Sequence, residues 1–206
     1  MKNEWYMIGM GDHLECATKD SIGAGVWEVE EILDRQREEF YENHKDLKIL
    51  GLHIGNHEWR VYQHSGLNIT KWLCEQLHCK YLGLGMLHVF YVGRQEYTIY
   101  TTHGHTYARF PHTKLKAITD LERMILADIY VMGHSHQLAY LIREKYIFNS
   151  FKKELELREI FYILSGSYLA HWESYAHKRG YEPLKLGSAV VTLYGEERKV
   201  EVKLIP

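Results

Sequence analysis

The sequence predicts an α/β fold, a sandwich built on mixed rather than purely parallel β-sheet. Three observations predict it. Helical and strand periodicities alternate through the earlier part of the chain, strands alone dominate the later part, and four polar clusters sit where strands end. The 206 residues, 46% of them hydrophobic, suffice for one domain with a buried core, so 1–206 is read as a single domain.

The elements follow in order. Trp5 to Met10 is a short apolar run stopping at Gly11-Asp12, as a buried strand entering a loop would. From Ser21 to His44 apolar residues recur at three- and four-residue intervals, which describes an amphipathic helix. Lys48 to Ile54 is a second strand, ending in Gly55-Asn56-His57-Glu58. Thr70 to His78 reads as a helix, Gly83-Leu84-Gly85-Met86 as a turn, and Leu87–Val92 with Tyr97–Thr101 as a hairpin running into His103-Gly104-His105. A helix over Lys114–Leu126 precedes a strand, Asp128–Met132, which runs into Gly133-His134-Ser135-His136. Strands then follow at Ala139–Arg143, Ile160–Leu164, Ala189–Tyr194 and Lys199–Ile205. Lys152–Arg158 alternates charge with Leu155 and Leu157 as a solvated face.

Composition narrows the function. With 25 Lys+Arg against 27 Asp+Glu, nothing in bulk charge attracts the chain to nucleic acid or to an anionic membrane. Three Cys without a CxxC pair argue against a disulfide framework and a zinc knuckle, and fit a reducing compartment. No apolar stretch is long enough to span a bilayer, and a cytoplasmic protein is expected. Fourteen His are about three times the ordinary number for this length.

Placement gives those histidines meaning. The four clusters offer carboxylate oxygen, amide oxygen and imidazole nitrogen, but no thiolate. This mixture suits Mn, Fe, Zn, Co or Ni, whereas calcium would take oxygens alone and structural zinc would use cysteine. Ligands in open α/β sheets gather beyond the carboxyl ends of strands, so four such termini can surround one site. An extended backbone through Gly133-His134-Ser135-His136 would aim both imidazoles to one side. Paired cations serve phosphoryl chemistry and need a bridging carboxylate; Asp12 is the only Asp in the four clusters.

In this order, Gly11-Asp12, Gly55-Asn56-His57-Glu58, His103-Gly104-His105 and Gly133-His134-Ser135-His136 resemble motifs two to five of the calcineurin-like metallophosphoesterase family. The tail from Gly166-Ser167-Tyr168 through Ser174-Tyr175-Ala176 to Arg179-Gly180-Tyr181 and Pro183 resembles the closing region of phage- and prophage-type members. The resemblance implies an αββα sandwich and a hydrolase with two divalent metal ions, manganese foremost. It would act on a phosphomonoester or phosphodiester, a nucleotide or nucleic-acid end included, through a metal-activated hydroxide. Asp12 would bridge the ions, Asn56, His103 and His134 would complete the second, and His136 would bind the first. His57 would act on the leaving alkoxide, Glu58 would orient imidazoles, and His105, His13 and Arg60 would lie near ligands or substrate.

The family's opening Asp-x-His motif is absent: residues 1–11 contain neither Asp nor His. The expectation is a chain lacking its amino-terminal strand, with the first cation site incomplete. The alternative is a non-catalytic or weakly active metal-binding scaffold. Outside the motifs, His44, His53, His64, His78, His88, His112, His171 and His177 read as packing or surface residues. Tyr162, Tyr168, Trp172, Tyr175 and Tyr181 read as core.

Overall fold

The first apolar run folds into β1 (Met7–Gly9), and the second into β2 (Ile49–His53). In the computed structural model the described residues are 4–16, 33–106, 108–169, 171–172, 177, 180 and 182–206. They sort into two units, residues 1–85 with 171–182, and residues 86–170 with 183–206. The α/β class with mixed sheets is as the sequence predicts.

In the first unit β1, β2 and β3 (Lys80–Gly83) form a parallel three-stranded sheet, Gly9 opposite Leu52 and Leu52 opposite Tyr81. Parallel register brings the carboxyl ends of β1 and β2 side by side, the geometry that lets their following loops meet. Helices α1 (Leu33–His44), α2 (Asn56–Ser65) and α3 (Ile69–Gln76) complete the unit. The expected helix over Ser21–His44 is present from Leu33 onward; residues 17–32 lie outside the described residues. Asn68 caps α3, its side chain accepting the Lys71 N–H at 2.9 Å. Apolar burial centres on Leu14, Leu52, Ile69 and Leu73 with Cys16 and Cys74. Burial pushes the Cys74 thiol up to about 12, so it packs as a small neutral side chain.

The second unit holds a five-stranded sheet in the order β4 (Gly85–Val92), β5 (Gln95–Thr102), β6 (Ile129–Met132), β8 (Glu154–Ser165), β7 (Leu138–Asn149). Strands β5, β6 and β8 run parallel while β7 is antiparallel to β8. One face packs on α4 (Pro111–Thr119) through Ile118, Tyr130, Tyr162 and Leu164. The other face packs on the antiparallel ribbon β9 (Ser188–Leu193) and β10 (Val200–Ile205) through Phe161, Ile163, Val191 and Val202.

Four sequence readings are corrected here. The helix expected at Lys114–Leu126 begins earlier, with Pro111 in the first turn where its missing N–H costs nothing, and gives way to a 3-10 turn at Asp120–Arg123. Strands expected at Ala139–Arg143 and Ile160–Leu164 each run twelve residues, because they pair with one another well past Ile129, where β6 begins. Tyr162 is buried as expected, but Tyr168 and Trp172 are each 74% exposed. Tyr175 and Tyr181, like Ser174, Ala176 and Arg179, lie outside the described residues.

Buried Tyr97 fastens the ribbon to the sheet. Its hydroxyl donates toward the Tyr194 carbonyl at 2.7 Å and accepts the Lys199 N–H at 3.0 Å. Tyr97→Phe is expected to cost about 1 kcal/mol, since it removes a partly buried hydroxyl that links several backbone groups, and urea unfolding followed by circular dichroism measures it.

Candidate functional site

The predicted residues fall in two sets, one in each unit. In the first, the chain leaves β1 through Gly11, at φ 92°, and Asp12, at φ 53°. Gly55, which precedes α2, has no side chain with which to cap that helix. Asp12 supplies the acceptor from the neighbouring loop: its Oδ1 takes the His57 N–H at 2.9 Å. The carboxylate is thereby held at the positive end of α2.

Glu58 is wholly buried and binds backbone instead of orienting imidazoles. Its Oε2 accepts the N–H groups of Asp12 at 3.1 Å and Gly55 at 2.9 Å, and its Oε1 accepts that of Leu14 at 3.0 Å. One carboxylate thus ties the loop after β1 to the loop after β2. Asn56 is the exposed first residue of α2.

His57 stands between two carboxylates. Its Nδ1 is 3.3 Å from Glu15 Oε2, and its Nε2 is 3.8 Å from Asp12 Oδ2. Burial by itself would lower the imidazolium pKa, but the hydrogen bond to Glu15 and the charges of Asp12 and Glu15 outweigh it, so the net shift is upward. Glu15 is a residue the sequence reading passed over; its only signal was a carboxylate three positions after Asp12.

His13 turns inward, its Nε2 donating to the His53 carbonyl at 3.1 Å and its ring lying 5.2 Å from Phe40. These contacts hold it against the end of β2. Arg60 donates through Nη2 to the Glu15 carbonyl at 3.4 Å and steadies the same loop.

In the second unit β5 and β6 are parallel, with Thr102 opposite Met132, so the residues that follow them are neighbours. The Gly133 N–H donates to the Thr102 carbonyl at 3.2 Å, extending the ladder by one step. Buried His103 and half-buried His134 meet edge to face, ring centroids 5.0 Å apart and planes at 69°. Imidazoles at that separation can turn two nitrogens toward one cation, each needing about 2.1 Å to a zinc-sized ion. Gly104, at φ 80°, lies so close to Met132 that a Cβ there would fall 2.4 Å from Cγ. His105 is exposed.

The extended backbone expected through His134 and His136 is not what forms. Both adopt left-handed φ, 56° and 54°, so the loop coils back after β6 instead of continuing it. For a residue bearing a Cβ this conformation is disfavoured by about 1–2 kcal/mol.

Strand-end loops that present carboxylate, amide and imidazole donors from an α/β framework are those an oxygen- and nitrogen-ligating metalloprotein uses. No family model and no curated protein sequence matches the chain. Among solved structures it is similar to Vps29 from Entamoeba histolytica. The wild-type protein complexed with Zn2+ is 13% identical, with 82% of this chain and 88% of that one covered at a TM-score of 0.37. A single mutant of the same protein is 13% identical over 98% and 99% of the two chains at 0.37, and a double mutant 15% identical over 82% and 89% at 0.35. No helix among the described residues is long and apolar enough to cross a membrane.

Proposed function

We propose that the chain is a metal-dependent phosphoesterase of calcineurin-like type whose metal ligands are Asp12, Asn56, His103, His134 and His136. Backbone conformation is the observation that supports this most. Among the described residues six non-glycine positions have φ in the left-handed region, and three of them are Asp12, His134 and His136. Such conformations persist where the surroundings over-determine them, typically at functional sites. A turn that needed only the conformation would be served better by glycine; side chains that must point at a ligand account for retaining a Cβ at all three.

The donor set fits a divalent ion of the manganese-to-zinc series, with manganese the first choice and Fe, Zn, Ni or Co able to replace it. When bound, a pair of such ions supplies Lewis-acid polarisation of phosphoryl oxygens and a water of lowered pKa. The chain's own residues orient and move protons. His57, fixed through Nδ1 by Glu15, would donate from Nε2 to the departing alkoxide, and Glu58 would keep Asp12 and α2 in register. Phosphomonoesters, phosphodiesters and nucleic-acid ends all remain within this reading.

The test is Mn2+ binding by calorimetry beside hydrolysis of p-nitrophenyl phosphate and its bis ester. Asp12→Ala and His134→Ala are each expected to weaken Mn2+ binding and to lower turnover by at least about 100-fold. Turnover undiminished in Asp12→Ala would overturn the assignment. Mn2+ binding without turnover in the intact chain would support the scaffold alternative.

A further inference from the structure

Beyond Ile129, the first residue of β6, strands β7 and β8 continue as a two-stranded arm: β6 pairs with Phe161–Leu164, whereas β7 and β8 stay in register out to Asn149 opposite Glu154. Side chains alternate across its two faces. One face carries Arg143 and Lys145, which pair with Glu122 beside α4, and Ile147, which packs on the same core. Among the described residues the opposite face has no such cover around Tyr146 and Phe148. There Tyr146 faces Leu157 and Phe148 faces Leu155, with 72%, 51%, 59% and 65% of their surfaces exposed, and Phe151 stands 97% exposed at the tip. The β9–β10 ribbon packs on this face at Phe161 and Ile163, nearer the root of the arm.

Charge at the two ends of this apolar stripe is arranged unfavourably for a lone chain. At its root Glu144 lies directly opposite Glu159, a like-charge pair that costs stability. Among the described residues neither carboxylate has an ion-pair partner, and neither has Lys153 at the tip. β7 is also an edge strand of the sheet. A long, exposed apolar face is a surface that natural proteins ordinarily cover.

We propose that the occupant is a second copy of this chain, the two arms packing face to face and antiparallel about a two-fold axis. This arrangement lays Tyr146, Phe148, Leu155 and Leu157 of one copy on the same residues of the other. It also brings the Lys153 end of each arm to the Glu144–Glu159 root of its partner, so the self-complementary charges and the apolar stripe call for the same geometry. Five such side chains per copy, at about 100 Å2 each, bury on the order of 1,000 Å2, the scale a specific interface needs. The proposal is independent of the phosphoesterase reading.

Sedimentation equilibrium on the intact chain tests it. The expected result is a dimer with Kd in the range of about 1–10 μM. Phe148→Glu should weaken association at least about 100-fold with an unchanged far-ultraviolet spectrum, since surface substitutions are well tolerated. Lys153→Glu alone should weaken it about tenfold, and Lys153→Glu combined with Glu144→Lys and Glu159→Lys should restore it, a rescue that only the antiparallel pairing of tip with root predicts. A wild-type chain monomeric at about 100 μM, with or without binding to phospholipid vesicles or another protein, overturns the proposal. A dimer indifferent to Phe148→Glu, or a charge swap that fails to rescue, overturns it equally.

Discussion

Glu58→Ala is expected to cost about 3–5 kcal/mol of stability, a large share of the margin of an ordinary domain. The argument is a count of orphaned groups. The buried carboxylate accepts three backbone N–H bonds, from Asp12, Leu14 and Gly55, and alanine leaves all three donors without it. Hydrogen bonds to a charged acceptor contribute about 1.5–3 kcal/mol each, and the cavity left by the side chain adds to the loss. Urea unfolding should show the midpoint falling by more than about 1 M. Glu58→Gln keeps one carbonyl oxygen and should lose roughly half as much. A glutamate that served only to orient imidazoles would lower turnover and leave the midpoint where it was, so a midpoint unchanged in Glu58→Ala would refute the role of tying two loops.

This glutamate also shows where sequence reading reaches and where it stops. Gly55-Asn56-His57-Glu58 was legible as a polar cluster after a strand, and the strand, β2, is present. That the same four residues open a helix was not seen, although Glu58 three positions after Gly55 is the spacing of a capping box and the signal was there to be used. The parallel pairings of β1 with β2 and of β5 with β6, which set the ligand candidates side by side within each unit, follow from alternating helices and strands, and so were accessible in kind.

The left-handed backbone at Asp12, His134 and His136 was not accessible, because a histidine in that region carries the same letter as one in a strand. Nor could composition separate Tyr162, stacked on Tyr130 at 5.2 Å, from Tyr168 and Trp172 in solvent; an aromatic is apolar wherever it lies, and only the packing of neighbours decides. The arm of β7 and β8 was half visible. Alternation around Leu155 and Leu157 marked a face, but the apolar residues there are the exposed ones, inverting the usual assignment of apolar to inside.

Gly55→Ala should separate the placement of Asp12 from the stability of the helix it caps. The backbone at Gly55 is ordinary extended chain, φ −95° and ψ 178°, so alanine meets no conformational objection. The objection is steric and local: a Cβ there would lie 2.1 Å from both the N and the Oδ1 of Asp12. Backbone and carboxylate of Asp12 must therefore shift together, away from the His57 N–H and from Glu58. A displacement of about 1 Å in a positioned group can cost 100-fold in rate, so turnover should fall by about that factor and Mn2+ affinity by at least tenfold. Stability should drop by only about 1–3 kcal/mol, as for other overpacked sites. Gly66→Ala provides the contrast. It too touches an end of α2, at φ 73° with open space around it, and should cost about 1–2 kcal/mol through backbone strain while leaving Mn2+ binding intact. Calorimetry on the two variants side by side decides the matter: if Gly55→Ala binds Mn2+ as tightly as Gly66→Ala does, the carboxylate of Asp12 is not a ligand, whatever its neighbours.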